Sequence, residues 1–345
     1  GNNNFTNANQ IATNSTYQFF IPDPDFDLTS LQRAGQKEGW SDTVEAFRIA
    51  TTNAGRPLSV HVDEPESITR ISLGPNDDTE PGTTNAERFN TVRKTMTWDI
   101  LLSGAGGVEW FIHNADQDVE DQRIYEQVYR ETTIARQFIE DNLPFWEMTP
   151  DDDLLAGEDS DYGGGEVFAL AGEVYGLYLP DGSNDDNAGG PPTLDLTSFA
   201  GEDYALRWFD PRTGVFDSQV ISLVGGTQAS LGATPGGFQN TDDWAALVLR
   251  VSADFNNDGV VDAADYTIWR DTLGDTVAPG AAGDATGDGV VDTADYAIFK
   301  EQYGKSFSPA ALQATPEPTA ATLSLVLIAS LAVAIRMQAV RGRYA

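Results

Sequence analysis

The chain contains no cysteine in 345 residues, only two histidines, His61 and His113, and 20 Lys and Arg against 54 Asp and Glu. Each shortage excludes something. Without cysteine there are no disulfide staples, no thiol nucleophile and no thiolate metal ligand. Two histidines leave almost no room for a multi-histidine metal centre. A formal net charge of −34 excludes nucleic acid as a partner, because its phosphates need clustered cations. The missing cysteine fits either a reducing compartment or an exported protein that manages without bridges. The chain begins at Gly1 with no initiator Met and no N-terminal signal peptide, and is expected to be a piece that lacks its front end. Its length still suffices for two or more cores.

What the chain has in excess is aspartate, and two stretches place it in register. "DFNNDGVVDAAD" runs from Asp254 to Asp265, and "DATGDGVVDTAD" repeats it from Asp284 to Asp295. Calcium takes several oxygen ligands from a tight loop, at positions 1, 3, 5, 7, 9 and 12, with glycine at 6 for the turn. The first loop offers Asp254, Asn256, Asp258, the Val260 carbonyl, Asp262 and Asp265; the second offers Asp284, Thr286, Asp288, the Val290 carbonyl, Asp292 and Asp295. Gly259 and Gly289 stand at the turns. Tyr266, Ile268 and Trp269, then Tyr296, Ile298 and Phe299, follow at helical spacing, so each unit is a loop followed by a helix. Twelve-residue registers repeated twice are not a solvated acidic linker. Two departures from the EF-hand pattern stand out: Asp rather than Glu at position 12, and the neutral Thr286. The Asp at position 12, the tandem spacing and the missing incoming helix resemble type I dockerin modules. The resemblance implies two Ca2+ ions and a cohesin-like protein partner.

The C-terminus has its own order. "TPEPT", Thr315 to Thr319, precedes the apolar run "TAATLSLVLIASLAVAI", and Arg336, Arg341 and Arg343 follow. Thr319 to Ile335 is at the lower limit of a bilayer-spanning helix, and the arginines would lie on the cytoplasmic side. This three-part order resembles the PEP-CTERM sorting signal. It implies an exported, surface-associated protein, held in the membrane by its C-terminal transmembrane helix until an exosortase processes it.

Between Glu166 and Ser252 the pattern has period two. "EVFALAGEVYGLYLP" puts Val174, Gly176 and Tyr178 on one face and Tyr175, Leu177 and Leu179 on the other. A strand around Tyr204 to Phe209, a turn at Asp210–Gly214, "SQVISLVGG" and "DWAALVLRV" complete at least five strands of an antiparallel β-sandwich. "GEVYGLYLP", "LRWFDPRTG" and "DWAALVL" resemble the sandwich family named for collagen binding. Trp208 and Trp244 are expected to close its core, with sugar stacking as the other use of such rings.

The front reads helix, strand, helix, strand, helix, an α/β order. Asp42 with Glu45 three residues on is a variant of the capping box, and Gly55 and Pro57 end that helix. Leu58 to Val62 and Val108 to Ile112 read as strands. Phe89, Val92, Met96 and Ile100 mark one helix; Ile124, Val128, Ala135 and Phe138 mark another. "VDEP", "LLSGAGGVEWF" and "LPFWEM" resemble the end of an apiosidase-like TIM-barrel glycoside hydrolase. On that resemblance the two strands are the seventh and eighth of a partial (β/α) barrel, Glu64 is the catalytic nucleophile, and Glu109 and Trp110 line a sugar subsite. Glycoside hydrolysis needs two carboxylates, and the partner, at the fourth strand, is not in this chain. Asp63 would point to the opposite face from Glu64. The piece by itself is therefore expected to be inactive.

The expected chain is multidomain: barrel end 1–152, β-sandwich 153–252, calcium module 253–305, linker 306–318, and transmembrane helix with basic tail 319–345. Two functions compete. One is an exported glycosidase acting on polysaccharide. The other is a non-catalytic adhesion or scaffold protein that binds through its sandwich and dockerin-like module.

Overall fold

Val60 and Val62 are fully buried while Ser59 is exposed, the alternation of a strand with one face on a core. In the computed structural model they belong to a parallel sheet that has three strands among the described residues, β1 (Leu28–Leu31), β2 (Ser59–Asp63) and β3 (Gly107–Glu109), in that order. The structure describes residues 8–14, 17–21, 23, 25–32, 39–63, 65, 85–110, 122–158, 164–182, 191–237 and 242–306. Glu64, His113, the Pro-Glu-Pro segment and the apolar run after it lie outside the described residues. Among those described, no helix is long and apolar enough to cross a membrane.

Strand β1 was not expected. It has four residues, and of its two leucines Leu28 is exposed and only Leu31 is buried, so it carries almost no periodic signal. Short helices α1 (Ala8–Ala12) and α2 (Tyr17–Phe20) precede it, and α3 (Trp40–Asn53) joins β1 to β2. The second crossover is α4 (Asn85–Val92), a π-turn at Arg93–Thr97, and α5 (Trp98–Leu102). Phe89, Val92, Met96 and Ile100 all face the core there, and the π-turn keeps Arg93, Lys94 and Met96 buried together. Helix α6 (Glu126–Asn142) follows β3 and buries Val128, Ala135 and Phe138.

The capping of α3 differs from the expectation. The helix starts at Trp40, its N-cap is Gly39 in the left-handed region at φ 69°, and no side chain of its own caps it. Asp42 already lies inside the first turn. The cap comes from α5: Asp99, fully buried, accepts from the Trp40 and Ser41 amides at 2.9 and 2.7 Å.

Among the described residues nine antiparallel strands follow: β4 (Thr149–Pro150), β5 (Leu155–Ala156), β6 (Glu166–Leu170), β7 (Val174–Leu179), β8 (Thr193–Asp195), β9 (Asp203–Asp210), β10 (Val215–Val224), β11 (Gln228–Ser230) and β12 (Trp244–Arg250). Six form a sheet in the order β10-β9-β12-β7-β6-β4, and three form another, β11-β8-β5. One face of the large sheet, with Tyr175, Leu177, Leu206 and Val248, makes a core with the small sheet. Its other face, with Val174, Tyr178, Phe209 and Leu247, packs on Trp98 and Leu102 of α5 and Phe138 of α6. Trp98 stacks on Tyr178, ring centroids 5.0 Å apart and planes 4° apart. The α/β part and the sandwich thus share a core. Trp208 and Trp244 are buried in the sandwich, which closes the sugar-stacking use of both rings.

Candidate functional site

Parallel β strands of an α/β fold deliver their C-terminal ends to one side, where such folds place their sites. Asp63 ends β2 and Glu109 ends β3, and the two are direct partners in the register. The Ser30 hydroxyl donates to Asp63 from β1. Glu109 is exposed at this edge. Trp110 is half-buried against the core of the α/β part, and its indole N–H donates to Thr132 Oγ1 on α6 at 2.9 Å. The ring is therefore anchored from behind. His61 is packed beneath the turn into β3: a Cβ on Gly106 would crowd Ser59 Oγ and lie 2.8 Å from His61 Nε2, so a larger residue there would have to push both side chains aside. Glu64 continues directly from Asp63, outside the described residues.

The second constellation is the repeated aspartates. Gly259 and Gly289 take φ of 89° and 84°, the left-handed turn that only glycine enters without strain. Asp254 accepts from the amides of Asp258 at 3.1 Å and Gly259 at 2.8 Å; Asp284 accepts in the same way from Asp288 at 3.2 Å and Gly289 at 2.7 Å. Asp265 accepts from Asn256 and Asp262, and Asp295 from Thr286 and Asp292. These four carboxylates are buried, at 7, 1, 0 and 0 % exposure for Asp254, Asp284, Asp265 and Asp295. Each loop therefore folds around its first and twelfth residues. Asp258 and Asp288 are exposed, and each turns back on the amide two residues on.

Asp262 and Asp292 have a second task. Each is the N-cap of the helix that follows, α7 (Ala263–Thr272) or α8 (Thr293–Gln302), in a reciprocal capping box with the twelfth residue. One pair of residues thus closes each loop and starts each helix. Val261 and Val291, fully buried, were not singled out from sequence. Val261 pairs with Gly304 and Lys305 beyond α8, and Val291 with Gly274 and Asp275 beyond α7, so the two units are stitched crosswise. The doubled "GVVD" was the available signal. Trp269 stacks on Tyr296 at 4.6 Å between the helices.

The donors of both loops are all oxygen, the chemistry that suits calcium rather than a softer metal. Among the described residues no three His, Asp or Glu side chains alone form a metal group. Asn256, Thr286 and the Val260 and Val290 carbonyls would complete each set, which is how a calcium loop mixes its ligands.

Residues 252–303 match the Dockerin type I domain family. The dockerin module therefore begins at the end of the sandwich and covers both loop–helix units. Among solved structures, the chain is similar to a glycoside hydrolase family 5 protein from Bacteroides vulgatus ATCC 8482. The identity is 16 % and the TM-score 0.50, over 67 % of this chain and 53 % of that one. It is equally similar to a protein described as a glycoside hydrolase, at 16 % identity and TM-score 0.50 over 67 % of this chain and 54 % of the other. The likeness shows a shared fold, and the chain spans about half the length of the solved structures it matches. No curated protein matches it.

Proposed function

We propose that this chain is the C-terminal part of an exported glycoside hydrolase that acts on polysaccharide by a two-carboxylate mechanism and carries a calcium-binding dockerin module. The observation that supports the catalytic part most directly is the register of Asp63 with Glu109 at the ends of adjacent parallel strands. Glu64, next along the chain, is the proposed nucleophile, with Glu109 and Trp110 beside it as a sugar subsite. The acid/base partner would come from an earlier strand of the complete barrel. Burial of Trp208 and Trp244 weighs against the adhesion reading, because the sandwich then offers neither ring as a glycan platform.

The proposed domains are the barrel end 1–152, the sandwich 153–252, the module 253–305, the linker 306–318 and the membrane tail 319–345. In the module, Asp254, Asn256, Asp258, Val260, Asp262 and Asp265 would hold one Ca2+, and Asp284, Thr286, Asp288, Val290, Asp292 and Asp295 a second. Bound calcium would neutralise part of the charge of eight loop carboxylates. A cohesin-like protein is the proposed partner of this module. The tail from Thr315 onward is proposed as a PEP-CTERM signal that anchors the protein for exosortase processing at the cell surface.

Two measurements test this reading. In the protein with its complete barrel, Glu64→Gln should reduce polysaccharide turnover about a hundredfold or more while leaving the fold intact, because an amide neither attacks nor ionises. A rate within a few-fold of the parent would move the protein to the adhesion class. Separately, the full chain should enter the detergent phase in phase partitioning, and a chain ending before Thr315 should not. If both stay in the aqueous phase, the sorting tail is wrong.

A further inference from the structure

The two dockerin loops share a pattern but not an environment. In the first, Asn256, Asn257 and Asp258 are exposed, and Phe255 and Gly259 are half-buried. In the second, the equivalents of Phe255, Asn257 and Gly259, namely Ala285, Gly287 and Gly289, are buried. The cover is the sandwich. A Cβ on Gly287 would stand 3.6 Å from both Ala205 of β9 and Leu249 of β12, and one on Gly280 would meet Leu249 at 2.9 Å. Asn257 and Gly287 occupy the same left-handed backbone position, at φ 56° and 71°. The exposed loop tolerates asparagine there, and the covered loop has the residue without a side chain.

One cation sits at this contact. Arg207 of β9 donates from Nη1 to the Gly287 carbonyl and from Nη2 to the Asp217 carbonyl, both at 3.4 Å. Its guanidinium carbon lies 4.7 Å from the centre of the Phe216 ring. Nη1 is 3.5 Å from where a Cβ on Gly289 would stand. The carboxylates acting on its charge are Asp284, Asp288 and Asp217. The first two belong to the second calcium set.

We propose that Arg207 makes the two calcium sites unequal: the sandwich lends the second loop a fixed positive charge, which keeps that loop folded without calcium and weakens its calcium binding relative to the first. The proposal rests on the calcium reading above. Four carboxylates crowded in a loop repel one another, and a guanidinium beside two of them offsets part of that repulsion before any ion arrives. The same charge then repels an entering divalent cation. Arginine stays charged at every working pH, so the effect is permanent. The 3.4 Å contacts are long for hydrogen bonds, so the field of the charge outweighs its directed bonds. The first loop turns the same positions to water, and calcium itself must supply its compensation.

The test is calorimetric calcium titration of the full chain, with Asp265→Ala and Asp295→Ala to assign the two steps. Asp295→Ala should remove the weaker step. Arg207→Gln, which keeps an N–H donor without the charge, should tighten that step by about three- to tenfold and leave the stronger one within about twofold. Arg207→Lys, which keeps the charge, should stay near the parent. In calcium-free protein, hydrogen exchange should be slower at residues 285–291 than at 255–261, and Arg207→Gln should narrow that difference. The proposal is overturned if Arg207→Gln moves both steps together or weakens the second, or if Asp295→Ala removes the tighter step. Absence of any calcium heat would instead overturn the calcium reading, and the proposal with it.

Discussion

Asp243→Ala should lower the stability of the unit ending at Lys305 by about 3–5 kcal/mol, the cost of stripping a buried guanidinium of its two-bond carboxylate partner. Asp243 is fully buried just before β12, and Arg93, 2 % exposed, reaches it from the π-turn 150 residues earlier. The contact is a fork: Nε to Oδ2 at 2.7 Å and Nη2 to Oδ1 at 2.8 Å. The remaining Arg93 nitrogen, Nη1, donates to Glu131 on α6 at 2.9 Å and to Asn90 at 3.0 Å, while the Tyr178 hydroxyl on β7 donates to Asp243 at 2.7 Å. The carboxylates around it raise the Arg93 pKa further against the opposing effect of burial, and burial holds the Tyr178 hydroxyl neutral. Removing Asp243 strips the fork and the tyrosine's acceptor together. Asp243→Asn, which keeps one acceptor, should cost less, and Tyr178→Phe only about 1 kcal/mol. Urea unfolding followed by fluorescence and by circular dichroism decides the matter. A loss below about 1 kcal/mol for the alanine variant would mean that the apolar contact of Trp98 with Tyr178 carries this interface alone.

That network shows where reading by sequence stops. Period-two runs exposed β7, β9 and β12, and the aspartate registers exposed both loops of the dockerin module, because each signal is complete within about a dozen residues. The apolar character of both faces of β7 was equally visible. What the second face packs on was not, since Val174 and Tyr178 say nothing of Trp98 and Phe138. Asp42 had the sequence of a helix cap, yet the α3 amides are taken by Asp99, nearly sixty residues on, once α5 packs across them. Arg93 and Asp243 are ordinary surface residues to any local pattern. Asp262 and Asp292 were read as ligands, and their place as caps follows only when loop and helix are seen to join. The strand ends were legible as a register; the alignment of Asp63 with Glu109 needed the sheet.

Lowering the pH from 8 to 5 should stabilise the protein by more than the relief of its overall negative charge. The reason is a group of carboxyls buried between helices α3 and α5 and the sandwich. Glu166 of β6 is 5 % exposed, and its Oε2 has no hydrogen-bond partner while the group is ionised. Asp99 faces it from α5, Asp152 from the turn before β5, where it accepts from the Val167 amide at 2.7 Å, and Glu45 of α3 stands near Asp152 with Arg48 beside it. Burial, then the neighbouring carboxylates, pushes Glu166 well above the ordinary carboxyl range; burial also raises Asp99. Glu45 is pushed up to about 7 and Asp152 to about 6, burial being the main cause of both. In the unfolded chain all four titrate near 4. The folded state thus holds protons that the unfolded state releases, so this stability is complete below about pH 4 and is lost as the pH rises through about 6 to 7. Asp210, which burial would raise, is held low by its bonds with Arg212 and does not titrate in this window. With allowance for partial solvation, the change between pH 5 and 8 should be about 2–4 kcal/mol. Glu166→Gln supplies permanently the N–H that a protonated Glu166 would offer to Asp99 or Asp152. It should raise stability at pH 8 by about 1–3 kcal/mol and flatten the profile. Thermal unfolding at pH 5, 6, 7 and 8 in saturating calcium measures both effects. A parent profile that rises with pH, or a glutamine variant weaker than the parent at pH 8, would show that the group holds no shared proton.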